Sequence, residues 1–208
     1  MNIFDHHYKE YDAWYEKNRW PYLSELEALK KVIPQEGRGL EIGVGTGRFA
    51  APLNIELGID CSQKMLELAA QRGVNVRWGL GEDLPFLDDS MDYVAIIITI
   101  CFVADPLKVL REAQRVLDNN GVLVLGIIDK DSFLGQFYQK KKSIFYKEAN
   151  FFRVQELVAL LKQAGFDGFT YYQTLFTFPD KMNSVDKPQE GFGEGGFVAI
   201  KARARKDF

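Results

Sequence analysis

Glycine occupies every second position from 43 to 47 in the run Gly39-Leu40-Glu41-Ile42-Gly43-Val44-Gly45-Thr46-Gly47, and no other segment of the 208 residues limits the fold as much. Glycine takes positive φ without a Cβ penalty and lets backbone approach a ligand closely. The carboxylate of Glu41 precedes the first turn glycine by two residues. A second acid, Asp60, closes the next predicted strand, Ile55-Glu56-Leu57-Gly58-Ile59-Asp60. A glycine turn between the first strand of an α/β sheet and the helix after it lies at the strand ends where such folds bind ligands. The pattern points to a nucleoside-cofactor site.

Two kinds of nucleoside ligand use turns of this type. A dinucleotide fingerprint requires its third glycine at position 48, where helix packs on strand and receives a pyrophosphate. Arg48 stands there, and Pro52 leaves room for only a very short helix between Gly47 and Asn54. A dinucleotide is therefore the weaker reading.

Strands are expected near residues 39–42, 55–60, 75–80, 92–99 and 121–128, alternating with helical patterns at 62–71 and 106–117. That alternation means parallel βαβ units. The run Ile96-Ile97-Ile98-Thr99-Ile100 is continuous and β-branched, as a strand buried on both faces should be, and belongs in the sheet centre. A further helix over 154–164 stops at Gly165, and two late strands follow near 168–178 and 196–204. The chain reads as one domain: an arm over 1–32, a cofactor-binding core over 33–129, an insertion over 130–152, and a C-terminal helix and hairpin over 153–208.

Composition excludes several functions. With 47% hydrophobic and 26% charged residues the chain has ordinary globular usage. Its longest apolar stretch, 93–104, is bounded by Asp92 and Asp105 and falls short of a membrane span. Asp5, Lys9, Glu10 and Asp12 interrupt any leader-like opening, so a cytoplasmic location is expected. A formal net charge of −3 gives no global footprint for nucleic acid, and Lys140-Lys141-Lys142 reads as a solvated face. The two cysteines, Cys61 and Cys101, have no metal or disulfide spacing.

From about Arg38 to Asp129 the blocks stand in a familiar order. After the glycine run come Gly58-Ile59-Asp60-Cys61-Ser62 with Met65-Leu66, then Leu84-Pro85-Phe86, Met91-Asp92-Tyr93-Val94, Leu110-Arg111-Glu112-Ala113-Gln114-Arg115-Val116-Leu117 and Gly121-Val122-Leu123-Val124. This sequence resembles the class I S-adenosylmethionine (SAM) dependent methyltransferases, in particular the small-molecule group that includes ubiquinone and menaquinone biosynthesis enzymes. The resemblance implies a Rossmann-like α/β three-layer sandwich with an N-terminal helical arm. Its mostly parallel sheet of seven strands would have the order 3-2-1-4-5-7-6, with strand 7 antiparallel.

The resemblance also implies that SAM is the cofactor and that a small molecule accepts the methyl group at nitrogen, oxygen or carbon. The alternative is a catalytically silent SAM-binding sensor or partner-dependent subunit. By the family's motifs the cofactor contacts are Glu41, Gly43, Val44, Gly45, Gly47, Asp60, Cys61, Met65, Leu80, Gly81, Glu82 and Ile97. Asp60 suits the ribose diol, because one carboxylate can accept from both hydroxyls. Leu80 takes the place where the family usually has an acid, so the adenine amino group needs another acceptor. Thr99-Ile100-Cys101-Phe102 differs from the motif of base-methylating members, and the absence of carboxylates over 97–102 differs from metal-dependent ones, so neither nucleic acid nor a metal is expected.

The arm, the insertion and the loop over 179–195 are where an acceptor should bind. The arm contains Tyr8, Tyr11, Trp14, Tyr15, Trp20 and Tyr22, and the insertion adds Phe133, Phe137, Tyr138, Phe145, Tyr146, Phe151 and Phe152. Such rings supply large apolar contacts and attract cations. Tyr11, Trp14 and Phe102 are the expected substrate contacts. If the acceptor needs a base, His6, His7, Tyr11, Asp129 and Asp131 are the candidates.

Overall fold

Five strands run parallel and side by side, the central ones because their β-branched and leucine-rich segments must bury both faces, while Asn75–Trp78 forms an exposed edge. The computed structural model describes residues 3–141 and 143–206, so Lys142 of the lysine run lies outside the described residues. In chain order the elements are α1 (Ile3–Lys17), α2 (Arg19–Leu29), β1 (Gly39–Ile42), β2 (Leu57–Asp60), α3 (Gln63–Gln71), β3 (Asn75–Trp78), β4 (Met91–Ile97) and α4 (Pro106–Val116). They continue with β5 (Leu117–Ile128), α5 (Phe133–Lys140), α6 (Val154–Gln163), β6 (Phe166–Thr174), β7 (Gln189–Glu190) and β8 (Phe197–Ala204).

The sheet order is β3-β2-β1-β4-β5-β8-β6-β7. The chain's last strand inserts antiparallel between β5 and β6, as the expected order requires. The sheet has eight strands rather than seven, because Gln189 and Glu190, expected in a loop, add a two-residue edge strand to β6. Alternate residues of the central strands separate two cores. Val94 and Ile96 pack with Val109, Leu110, Val154 and Leu157 of α4 and α6. Tyr93, Ala95 and Ile97 pack with Leu26, Leu29, Leu66 and Leu134 of α2, α3 and α5. Three layers result.

Three expected strands end early, the one over 168–178 at Thr174. The segment over 92–99 stops at Ile97, because Ile98 adopts φ +53 and turns the chain out of the sheet. The segment over 75–80 stops at Trp78, and Leu80 pairs in an isolated bridge with Asp83. After Gly47 the chain forms successive turns rather than a regular helix. Pro52 lacks the N–H that would extend it.

The arm is fastened over the glycine turn by Asp12 of α1. Arg48 donates from Nε and Nη2 to the two Asp12 carboxylate oxygens, both at 2.9 Å, and Arg72 adds Nη2 at 2.9 Å. Thr46 Oγ1 donates to Asp12 at 2.7 Å, and Arg48 also reaches Glu16 at 2.6 Å. Arg48, standing where a dinucleotide turn has glycine, is the anchor of the arm. Closer to the N-terminus, Ser62 Oγ donates to Asp5 at 2.6 Å.

Desolvation alone would push the Asp12 carboxyl up, but the hydrogen bonds from Arg48, Thr46 and Arg72 outweigh it and bring it down to about 2. The stabilisation is therefore complete above the ordinary value of 3.8 and is lost as pH falls from 3.8 through about 2. Hydrogen exchange should show α1 losing protection over that interval while β4 and β5 keep theirs. Asp12→Ala should loosen α1 in the same way at neutral pH, and unchanged exchange in α1 would mean the arm is held by its aromatic packing alone.

Candidate functional site

The turn after β1 has the geometry its glycines allow. Gly43 and Gly45 have φ of +70 and +51. A Cβ on Gly43 would lie 2.2 Å from Thr99 Cγ2, so β1 and the end of β4 approach too closely for any side chain. At Gly45 the nearest atom to such a Cβ is Cε1 of Tyr11, 3.8 Å away, leaving the turn open on the side that α1 covers.

Asp60 faces this turn from the end of β2. Its Oδ2 accepts from the Gly45 N–H at 2.9 Å and its Oδ1 from the Ser62 N–H at 2.8 Å. Each oxygen keeps a further lone-pair site, so two hydroxyl donors can still be accepted. Burial pushes the Asp60 carboxyl up, and those two N–H groups act against the shift.

A cleft of about 920 Å³ opens between these elements. Its walls include Gly43, Gly45, Asp60, Cys61, Met65, Leu80, Gly81 and Glu82, together with Tyr11 and Phe102. Glu82 lines it but also accepts from the Ala104 and Asp105 N–H groups at 3.1 and 3.4 Å, ahead of α4. Leu80 is 48% exposed there, an apolar surface on which a ring can lie.

Four of the expected cofactor contacts do not line the cleft. Glu41 is buried beneath the turn, where burial first and the Asp60 charge second hold its carboxyl well above the usual range, and its Oε2 has no partner. Val44 is buried against Gly58, Gly47 packs against Ala69 of α3, and Ile97 is buried in the core beside the arm. Ile42, Ile59, Ile98, Thr99 and Val103 line the cleft instead. The chain just beyond β4 reaches the cleft, whereas Glu41, Val44 and Gly47 support the turn from beneath.

A second, more apolar cavity of about 260 Å³ lies under the arm. Trp14, Tyr15, Tyr138, Tyr146 and Phe151 line it, along with Glu25 of α2. Tyr138 and Tyr146 stack with centroids 4.4 Å apart, and the Tyr11 and Tyr15 hydroxyls share a hydrogen bond of 2.8 Å. Tyr11, Ile98 and Phe102 line both the cavity and the cleft. Phe4 packs edge-on to Phe102 at 5.1 Å, which closes the arm over this junction. Of the candidate bases only Tyr11 lies here; His7 pairs with Glu10 and Asp131 with Arg153.

Sequence reasoning missed Glu25, although a signal exists. Positions 21, 25, 28 and 29 share one helical face, and Pro21, Ala28 and Leu29 on it are all buried. The carboxyl is 3% exposed, and burial pushes it up to about 8.

A methyltransferase-domain family pattern matches residues 40–125. The chain is also 31% identical to the demethylmenaquinone methyltransferase of Thermotoga maritima, over 80% of this chain and 74% of that one. The chain belongs to the SAM-dependent methyltransferases. A relative from Methanocaldococcus jannaschii, itself uncharacterized, is 50% identical over 97% of this methyltransferase and 98% of its own length. A solved SAM-dependent methyltransferase of Thermotoga maritima, described as a possible histamine N-methyltransferase, superimposes with a TM-score of 0.95 at 48% identity, covering 98% of this chain and 99% of that one.

The cofactor of this methyltransferase is SAM, and the cleft suits it. Asp60 retains acceptor sites for a ribose diol, and Gly45 leaves the turn open. Among the described residues no group of three His, Cys, Asp or Glu side chains is placed to hold a metal, and no helix is long and apolar enough to cross a membrane.

Asp60→Ala should weaken SAM binding by about 1.5–3 kcal/mol per charge-assisted bond lost, read by calorimetry, and unchanged affinity would remove the ribose role from Asp60. Glu25 should show itself in stability. A carboxyl raised from 4.5 to about 8 in the folded state makes the protein less stable as pH rises through that interval. Urea unfolding of the wild type should therefore lose on the order of 3 kcal/mol relative to Glu25→Gln between pH 4.5 and 8. Parallel pH profiles for the two proteins would show that Glu25 is solvated.

Proposed function

We propose that this methyltransferase transfers the methyl group of SAM to a small molecule enclosed in the aromatic cavity, by in-line displacement. What supports this most is the junction at Tyr11, Ile98 and Phe102, where the cavity and the cofactor cleft share a wall. SAM supplies an already activated methyl group when bound. The chain's residues then have to hold the two ligands in line, and positioning of this kind supplies much of the rate.

In this reading Asp60 holds the ribose, and the backbone at Gly43 and Gly45 passes beside the aminoacyl end. Cys61, Met65, Leu80 and Gly81 form the nucleoside wall. Tyr11 and Phe102 position the acceptor at the junction, and Trp14 borders it on the far side. Burial raises the Tyr11 phenol above its ordinary value, so it stays neutral and can share its hydrogen bond with Tyr15 in either direction. The cavity is smaller than most sites for drug-sized ligands, which favours a compact acceptor. The description of the Thermotoga maritima structure as a possible histamine N-methyltransferase fits an acceptor of that size.

Incubation of the protein with SAM and a panel of small amines, phenols and thiols should yield S-adenosylhomocysteine, detected by mass spectrometry. With an acceptor in hand, Phe102→Ala should lower kcat by roughly 10- to 100-fold through misplacement of the acceptor, with SAM affinity changed little. SAM binding without turnover on any compound would favour the silent sensor, and an unaffected Phe102→Ala would move the acceptor elsewhere.

A further inference from the structure

Glu25 is the one feature of the aromatic cavity that packing does not explain. Its side chain lines the cavity but not the cofactor cleft. Its Oε2 is buried and has no hydrogen-bond partner among the described residues. The hydroxyls of Tyr11 and Tyr15 bond to each other, and neither reaches it. Lys141 borders the cavity, with its ammonium over the Phe137 and Tyr138 rings at 5.7 and 5.9 Å from their centroids. An unpaired buried carboxyl costs stability, and a carboxylate surrounded by ring faces attracts one chemical group above others, a cation. A neutral donor can fill the lone pair but gains nothing from the ring faces, and an anion is repelled by the ionised carboxylate, so a cation gains most.

Resting on the methyl-transfer reading above, we propose that the acceptor is a small amine whose protonated nitrogen pairs with Glu25 among the rings of Tyr15, Tyr138 and Tyr146. A second nucleophilic atom of the same molecule then meets the methyl donor between Tyr11, Ile98 and Phe102. The cavity thus has two ends with different work. The inner end recognises charge, and the outer end presents the nucleophile. Glu25 selects and positions the acceptor and takes no part in the displacement itself.

The titration state of Glu25 is consistent with this arrangement. Tyr11 and Tyr15 of α1, Tyr22 of α2, Tyr138 of α5 and Tyr146 all interact electrostatically with it, and burial raises every one of these phenols, so they remain neutral near pH 7. Among the described residues, Glu10 and Lys141 are the other charged ones on the cavity wall. Alone, the Glu25 carboxyl is held mostly protonated by burial; an entering ammonium favours its ionised form, and the displaced proton goes to solvent.

The test uses three compounds of one shape with different ends: tyramine, its alcohol analogue tyrosol, and 4-hydroxyphenylacetate. Each is titrated calorimetrically at pH 7 into protein saturated with S-adenosylhomocysteine. Tyramine should bind at least about tenfold more tightly than the other two. Repeating the titration in buffers of different ionisation enthalpy should show release of about one proton. In Glu25→Gln the preference and the proton release should both vanish, while S-adenosylhomocysteine affinity stays at the wild-type value and shows the fold intact. Tyrosol binding as tightly as tyramine, failure of tyramine to bind, or a preference surviving in Glu25→Gln would each overturn the proposal. Failure of the wild type to bind S-adenosylhomocysteine would instead overturn the reading of the cleft, and this proposal with it.

Discussion

The Asp60 carboxylate sets the separation of the two turns from which the cofactor cleft is built. One oxygen is held by the Gly45 N–H and the other by the Ser62 N–H, so the glycine turn after β1 and the start of α3 are joined through a single side chain. Ser62 in turn caps α3 by accepting from the Met65 N–H, and its hydroxyl donates to Asp5 of the arm. One acid at a strand end thereby orders a turn, a helix N-terminus and, at one remove, the roof. The parallel sheet makes this possible, because it brings the ends of β1, β2 and β4 to the same edge.

The roof is secured by charge at one side and by aromatic packing at the other. Asp12 collects Arg48, Arg72 and Thr46 from two segments that the sheet holds side by side. Tyr15 packs edge-on against Tyr22 and Phe49 at 5.1 and 5.7 Å, so the middle of α1 rests on the protein core. Between these fixed points Tyr11 passes directly over Gly45. The arm thus lines both the cleft and the cavity.

Much of this was legible in the residues. The alternation of strand and helix gave the parallel sheet, and the glycine run and Asp60 gave the place of the cleft, because each depends on a short-range pattern with one physical reading; the strand order came from the family resemblance. The aromatic content of the arm and the insertion marked the cavity for the same reason. Other features depend on partners far apart in the chain. Arg48 was visible as a departure from a glycine fingerprint, but its partner Asp12 is 36 residues away. Glu25 looks like any surface acid of a helix until its buried neighbours are known. The β-branched run from Ile96 to Ile100 reads as unbroken strand, yet the tertiary structure breaks it at Ile98, overriding local preference. Glu41, Val44 and Gly47 belong to the motif, and their side of the turn faces the core.

Ile98 has a consequence of its own. A β-branched residue with φ +53 is a genuine outlier, and such backbone typically costs about 1–3 kcal/mol. Its N–H is held by the Gly126 carbonyl at 2.8 Å, and it borders the cofactor cleft and the aromatic cavity together. The wall shared by cleft and cavity is therefore built on strained backbone, held in place by a hydrogen bond to the neighbouring strand rather than by the segment's own preference.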